Sequence, residues 1–276
     1  MLRFSGCKIN LGLSVIGKRS DGFHDIETVF YPVPWYDVVE IIPSNKNVLR
    51  SYGITIPGNP DANFCLKAYH LLAKDFSLKP LEWTLLKNIP TGAGLGGGSA
   101  NAANALMLLN EYFELSLSNV KLIDYASQIG SDCAFFIDNK PQFATGRGNL
   151  FQSTSLSLKD YHLVIVFPNI HVNTAWAYSK LIEKNQYSRA GELAPVLKKN
   201  ASVWKDELIN DFESVVFPQY PVLHFLKQRL YQFGATYAAM SGSGSAIFGL
   251  FGNQLQAKEF IKHIASENYF TYWSKL

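Results

Sequence analysis

The densest chemistry in the chain lies at residues 89–103, which read IPTGAGLGGGSANAA. Five of these residues are glycine (Gly92, Gly94, Gly96, Gly97 and Gly98), and they run into Ser99 and an Ala/Leu-rich segment with helical spacing. Glycine at this density costs chain entropy, a cost met mainly where backbone must approach a ligand or take positive φ. A glycine loop that opens a helix offers unpaired N–H groups and the positive end of the helix dipole, which together make an anion site. A flexible turn before an ordinary core helix is the plain alternative. Pro90 at the start of the loop and the Ser99 hydroxyl at its end weigh against that alternative. No Lys precedes Ser99, so the Walker pattern is absent, and G-x-G-x-x-G fits only as an isolated match on Gly92, Gly94 and Gly97. The pattern predicts a phosphate-binding loop of neither common kind.

Five other stretches carry residues able to do chemistry. Lys8 and Asn10 alternate with Cys7, Ile9 and Leu11, so a strand through them puts both on one face, solvated or part of a site. Asp132 stands between Gly130 and an apolar run, either capping a helix or held in a cleft where a carboxylate takes a proton. The loop GKRSDGFH ends in Phe23 and His24, rings that stack on and hydrogen-bond a base or fold back onto the core. Residues 240–245, MSGSGS, make a tight turn or a surface that presses on the first loop or on a ligand, and Arg147 in FATGRGN faces phosphate or solvent.

Elements to hold these residues follow from periodicity. Residues 4–15 alternate as a strand, 26–33 and 38–42 read as the two arms of a hairpin, and 83–87 is a strand that delivers the chain to the glycine loop. Helices are expected at 61–76 with Asp61 as cap, at 100–113 with Ala102, Leu106, Leu109 and Phe113 on one face, and at 118–129 between Ser118 and Gly130. A change of composition at STSLSLKD sets the expected domain boundary, giving 1–154 and 155–276. Beyond it, strands at 162–167, 236–239, 246–251 and 269–273 mix with helices at 173–184, 220–233 and 254–264 and a polar helical stretch at 187–207. Tyr178 lies near the start of the first of these helices.

The 276 residues are 47% hydrophobic and 17% charged, enough for a large core. A net charge of +3 from scattered Lys and Arg does not favour nucleic acid as the partner. Cys7, Cys65 and Cys133 lack the spacing of a zinc site or disulfide frame. No signal-like leader and no apolar run of membrane length is read, so a soluble cytoplasmic protein is expected.

Residues 90–103, with a Pro-x-x-x-Gly-Leu-Gly core, resemble the ATP loop of the GHMP kinases. KINLGL at 8–13, DGFH at 21–24, GSD at 130–132 and SGSGS at 241–245 agree with that family in order and spacing. The resemblance implies a two-domain α+β fold, the N-terminal domain ribosomal protein S5 domain 2-like and the C-terminal domain ferredoxin-like. It implies ATP on Pro90, Thr91, Gly92, Ala93, Gly94, Leu95, Gly96, Gly97, Gly98, Ser99 and Ala100, with Asn63 and Lys87 near the adenine and the acceptor held between the domains. Lys8 and Asp132 are the implied catalytic pair. Asn10, Phe23, His24, Tyr178, Ser241 and Gly242 are the implied substrate contacts.

GLGGGSANAA and DGFH together are similar to the branch of the family whose acceptor is cytidine diphosphate methylerythritol, phosphorylated on its 2-hydroxyl in the non-mevalonate isoprenoid route. Relatives usually carry Tyr at the position of Phe23, so stacking survives here while a phenolic hydrogen bond is lost. Mg²⁺ is expected on the ATP phosphates, with Ser99 a candidate contact and no acidic metal ligand assigned. A monomer or weak dimer without membrane or nucleic-acid partners is expected. The alternatives are a GHMP kinase for mevalonate, homoserine or a sugar, which would have no evident use for Phe23 and His24, and a non-catalytic nucleotide-binding protein.

Overall fold

Residues 1–184 and 187–276 are described by a computed structural model of the chain. In chain order the elements are β1 (Leu2–Lys18), β2 (His24–Pro43), β3 (Val48–Gly53), α1 (Phe64–Leu72), β4 (Leu81–Lys87), α2 (Gly97–Tyr112), α3 (Asn119–Ile129) and α4 (Phe135–Asp138). They continue with β5 (Gln142–Thr145), β6 (Leu150–Ser153), β7 (His162–Phe167), α5 (Thr174–Glu183), α6 (Leu193–Leu197), α7 (Trp204–Glu207), α8 (Glu213–Gln219) and α9 (Pro221–Gln232). The chain closes with β8 (Tyr237–Met240), β9 (Ile247–Phe251), α10 (Gln254–His263) and β10 (Phe270–Lys275).

Contacts divide the chain into two compact units that interleave in sequence. The first comprises Met1–Lys8, Pro34–Thr91 and Gly96–Lys140; the second comprises Ile9–Val33, Gly92–Leu95 and Pro141–Leu276. The expected boundary at 154/155 falls inside the second unit, because it follows composition whereas the units follow contacts.

In the first unit β4 lies between β3, parallel to it, and the second half of β2, antiparallel to it. Trp83 and Leu85 of β4 and Val39 and Ile41 of β2 are buried. Helix α2 packs against α1, α3 and α4, so it is buried on nearly every side, from Ala100 through Leu109 with Met107 the least covered. A single apolar stripe was the expectation. Surrounded helices need small residues all round, which is why its first half is Gly and Ala rather than amphipathic.

In the second unit β7, β8, β9 and β10 form a four-stranded antiparallel sheet of order β10-β7-β9-β8, with α9 between β7 and β8 and α10 between β9 and β10. That order with its two helical crossings is the ferredoxin-like arrangement, as expected. Its core gathers Val164, Val166, Leu223, Leu226, Leu230, Ile247, Phe251 and Phe260. β5 and β6 form a hairpin that pairs with the first half of β2.

Three expectations need correction. The predicted hairpin at 26–42 is one strand, β2: Pro32 and Pro34 fix φ and remove donors, but neither value reverses an extended chain. β3 and α8 were not anticipated. The helix at 61–76 is shorter, and its cap is Asn63, whose Oδ1 accepts from the Cys65 N–H at 2.9 Å; Asp61 sits in a preceding 3-10 turn. Asn63→Ala should therefore cost about 1 kcal/mol, while Asp61→Ala stays within about 0.5 kcal/mol. Denaturant unfolding of the two variants checks this, and the reverse ranking would restore Asp61 as the cap.

Candidate active site

Helix α2 begins without a side-chain cap. Its N-cap is Gly96, left-handed at φ 70°, which has no side chain with which to accept from the first-turn N–H groups. The left-handed φ strains any side chain at Gly96, and a Cβ there would crowd the Phe136 ring at 3.1 Å and Cγ of Lys8 at 3.2 Å, so glycine suits the place where the Lys8 stem lies against the helix start.

Asp132 completes this corner. Gly130 ends α3 with extended backbone, and the following turn carries Asp132 ahead of α4. The N-cap of α4 is Ala134, so Asp132 is not a helix cap. Instead its Oδ2 lies 3.5 Å from the Lys8 Nζ, with the lysine side chain 4% exposed and the carboxylate 32% exposed. Burial lowers the Lys8 pKa, and the Asp132 charge and hydrogen bond oppose that shift. The thiol of Cys133, beside the Ser99 hydroxyl, is pushed up to about 12 by burial, so it is inert as a nucleophile. The first unit thus brings Lys8, Asp132 and the start of α2 together.

A cavity of about 590 Å³ opens from the same loop. Tyr52, Ile54, Ile56, Asn63, Lys87 and Gly98 line it, with Thr91 also on its wall. Asn63 and Lys87 are the two residues expected near adenine. The apolar wall from β3 and the segment after it went unread, because that strand was not anticipated.

Beneath the loop lies a carboxylate the sequence reading missed. Asp37 of β2 is fully buried, and its Oδ1 accepts from the Asn88 and Ile89 N–H groups at 2.7 and 2.9 Å. Its Oδ2 accepts from the Lys87 ammonium and, at 3.0 Å, from the Asn101 amide. Asn101 also donates to the Ser5 hydroxyl at 3.0 Å.

In the second unit the central part of the glycine loop meets the Ser241–Ser245 turn. A Cβ on Gly94 would lie 2.0 Å from the Ser241 carbonyl oxygen, so this contact admits only glycine. The Ser241 hydroxyl donates to the Gly94 carbonyl at 2.9 Å and accepts from the Asn10 N–H at 3.3 Å. The Asn10 amide donates to Thr28 at 3.0 Å. Gly242 stays near Gly94, and the amide of Asn210 donates to the carbonyls of Met240 and Gly242 at 2.7 and 2.8 Å, holding the turn. Asn210 and Thr28 carried no sequence signal, being single polar residues outside any motif.

The expected base-binding rings fall into two sets. His24 stacks on Tyr178 with centroids 4.3 Å apart and planes 14° apart. An inserted base would need about twice that spacing, so these two rings present their outer faces or part. Phe23 is separate, half exposed, and has the Arg147 guanidinium 4.4 Å above its ring.

Comparison with known proteins identifies the class to which this fold belongs. The model of the GHMP kinase N-terminal domain matches residues 63–140 and that of the GHMP kinase C-terminal domain matches residues 179–269. The chain belongs to the GHMP kinase family. A Bacteroides fragilis protein named 4-diphosphocytidyl-2-C-methyl-D-erythritol kinase is 51% identical over 255 residues, covering 91% of this chain and 92% of that one. A Cytophaga hutchinsonii protein of the same name is 47% identical, covering 92% and 93%. The crystal structure of a 4-(cytidine 5'-diphospho)-2C-methyl-D-erythritol kinase superposes with a TM-score of 0.82 at 27% identity, covering 99% of this chain and 98% of that one. A mevalonate kinase structure, at 13% identity and a TM-score of 0.74, shares the fold. Among the described residues no helix is long and apolar enough to cross a membrane.

Because burial favours neutral Lys8 and Asp132 favours the ammonium, Lys8 should titrate below the ordinary lysine value of 10.5, and lower still in Asp132→Asn. NMR of the Lys8 Cε and Nζ against pH reads this directly. A titration that Asp132→Asn leaves unmoved would remove the ion pair as the controlling interaction.

Proposed function

We propose that the chain transfers the γ-phosphoryl group of ATP to the tertiary 2-hydroxyl of 4-diphosphocytidyl-2-C-methyl-D-erythritol. The observation that carries this reading is the Lys8–Asp132 pair beside the uncapped start of α2: an acid/base group and a cation stand where phosphate is best held. The relatives' name supplies the acceptor.

In the proposed reaction the 2-hydroxyl oxygen bonds to the γ-phosphorus while the bond from that phosphorus to the bridging oxygen breaks, and ADP leaves. The hydroxyl proton passes to Asp132 late, since an alcohol is far less acidic than a carboxylic acid. Lys8 offsets the negative charge of the carboxylate and of the migrating phosphoryl group, and the loop 90–100 holds the phosphates with its N–H groups. Asn63 and Lys87 attend the nucleotide; Asn10, Ser241 and Gly242 attend the methylerythritol; Phe23, His24 and Tyr178 attend the cytosine. Mg²⁺ belongs to the same reading. Among the described residues no three His, Cys, Asp or Glu side chains gather as a metal cage. Mg²⁺ would neutralise the charge of the nucleotide phosphates, with the Ser99 hydroxyl a candidate contact. We further propose that the enzyme acts in the cytoplasm as a monomer or weak dimer.

ATP consumption should depend strictly on the cytidylyl acceptor, with mevalonate and homoserine inert. Turnover on either of those instead would transfer the chain to another branch of the family. Lys8→Ala and Asp132→Ala should each lower kcat by about 10²–10⁴ with the circular dichroism spectrum intact, and a near-normal rate would exempt that residue. Phe23→Ala should raise KM for the cytidylyl substrate and spare KM for ATP; an unchanged acceptor KM would remove the stacking role.

A further inference from the structure

A single buried carboxylate touches both flanks of the glycine loop. Asp37 holds the N–H groups of Asn88 and Ile89 just before Pro90, and the side chain of Asn101 just after Ala100. A loop of that length, rich in glycine, has much conformational freedom to lose on binding a ligand. Fixing both flanks to one point removes part of that loss in advance. The fourth partner of Asp37 is the Lys87 ammonium, which lies 3.0 Å from where a Cβ on Gly97 would stand, directly under the first residue of α2. Lys87 and Asn101 both line the cavity, whereas Asp37 is sealed beneath them. Two buried charges in such contact are expensive to desolvate and add little to stability compared with a well-packed apolar pair. Their presence under a phosphate loop calls for another use.

We propose that Asp37 is the positioning residue of the nucleotide site: it sets the spacing of the loop's two flanks and keeps a charged Lys87 under the phosphates. This rests on the kinase reading above. The groups facing Lys87 agree with it. Burial lowers its pKa, and the factors that raise it are Asp37 on β2 and the thiols of Cys7 on β1 and Cys65 on α1. Burial raises the pKa of both thiols, so they are neutral and Asp37 supplies the balancing charge.

The test compares wild type, Asp37→Asn and the double variant Asp37→Asn/Lys87→Met, which removes both charges and keeps the Oδ1 acceptor. Calorimetric titration with the non-hydrolysable analogue AMPPNP and with adenosine separates phosphate from base binding. The double variant should melt within a few degrees of wild type, bind AMPPNP at least tenfold more weakly and bind adenosine within threefold of wild type. In Asp37→Asn, if it folds, AMPPNP affinity should fall as pH rises, because the unpaired ammonium deprotonates. The proposal is overturned if the double variant binds AMPPNP as wild type does, if AMPPNP and adenosine weaken alike, or if the double variant does not fold, which would make the pair structural. A wild-type chain that binds no AMPPNP would remove the kinase reading and this inference together; normal wild-type binding with an unaffected double variant removes this inference alone.

Discussion

A phosphate can be gripped by bare backbone only if that backbone is held still by something other than its own side chains. This constraint organises the chain. Residues 92–98 include five glycines, so the loop has almost nothing of its own with which to fix its shape. The structure answers with polar clamps from elsewhere: Asp37 and Asn101 on the flanks, Ser241 on the Gly94 carbonyl, and Asn210 behind the turn that carries Ser241. Each clamp is a buried hydrogen bond, modest in net stability but costly to leave half made. Misplacing one would therefore be felt as an unsatisfied group and not as a small shift.

The glycines serve different ends within one motif. Gly94 is excluded from bearing a side chain by a carbonyl, whereas Gly96 is favoured by its left-handed φ, with a lysine stem and a phenyl ring crowding the place of a Cβ. The second is the more telling, because it brings the glycine loop against the Lys8 stem. The absence of a Cβ eases the approach of the start of α2 to Lys8, with Asp132 within reach of the ammonium.

Much of this was legible in the chain itself. The glycine loop stands out by composition, and alternation puts Lys8 and Asn10 on one face; the pairing of Lys8 with Asp132 and the ferredoxin-like half come from the resemblance to the GHMP kinases. What could not be read were residues whose meaning depends on a distant partner. Asp37, flanked by aromatic and β-branched residues after two prolines, looks like a turn residue until Lys87, fifty positions on, arrives at its carboxylate. Asn210 is equally anonymous until the Ser241 turn closes on it. Asn63 lost the cap to Asp61 in the reading because both types cap helices, and only the backbone at residues 60–63 decides between them. The ring pair His24 and Tyr178 was foreseen as a set, but their direct contact was not, since stacking between side chains 154 positions apart leaves no trace in local pattern.

The bare N-cap of α2 has a consequence beyond chemistry. A helix that begins on Gly96 forgoes the hydroxyl or amide oxygen that caps α1, α3 and α5, because glycine has no side chain to offer its first N–H groups. Any anion that binds the folded chain alone adds to its stability in proportion to the logarithm of its concentration. An anion seated there would make the solidity of the first unit's central helix depend on the supply of that anion as well as on packing.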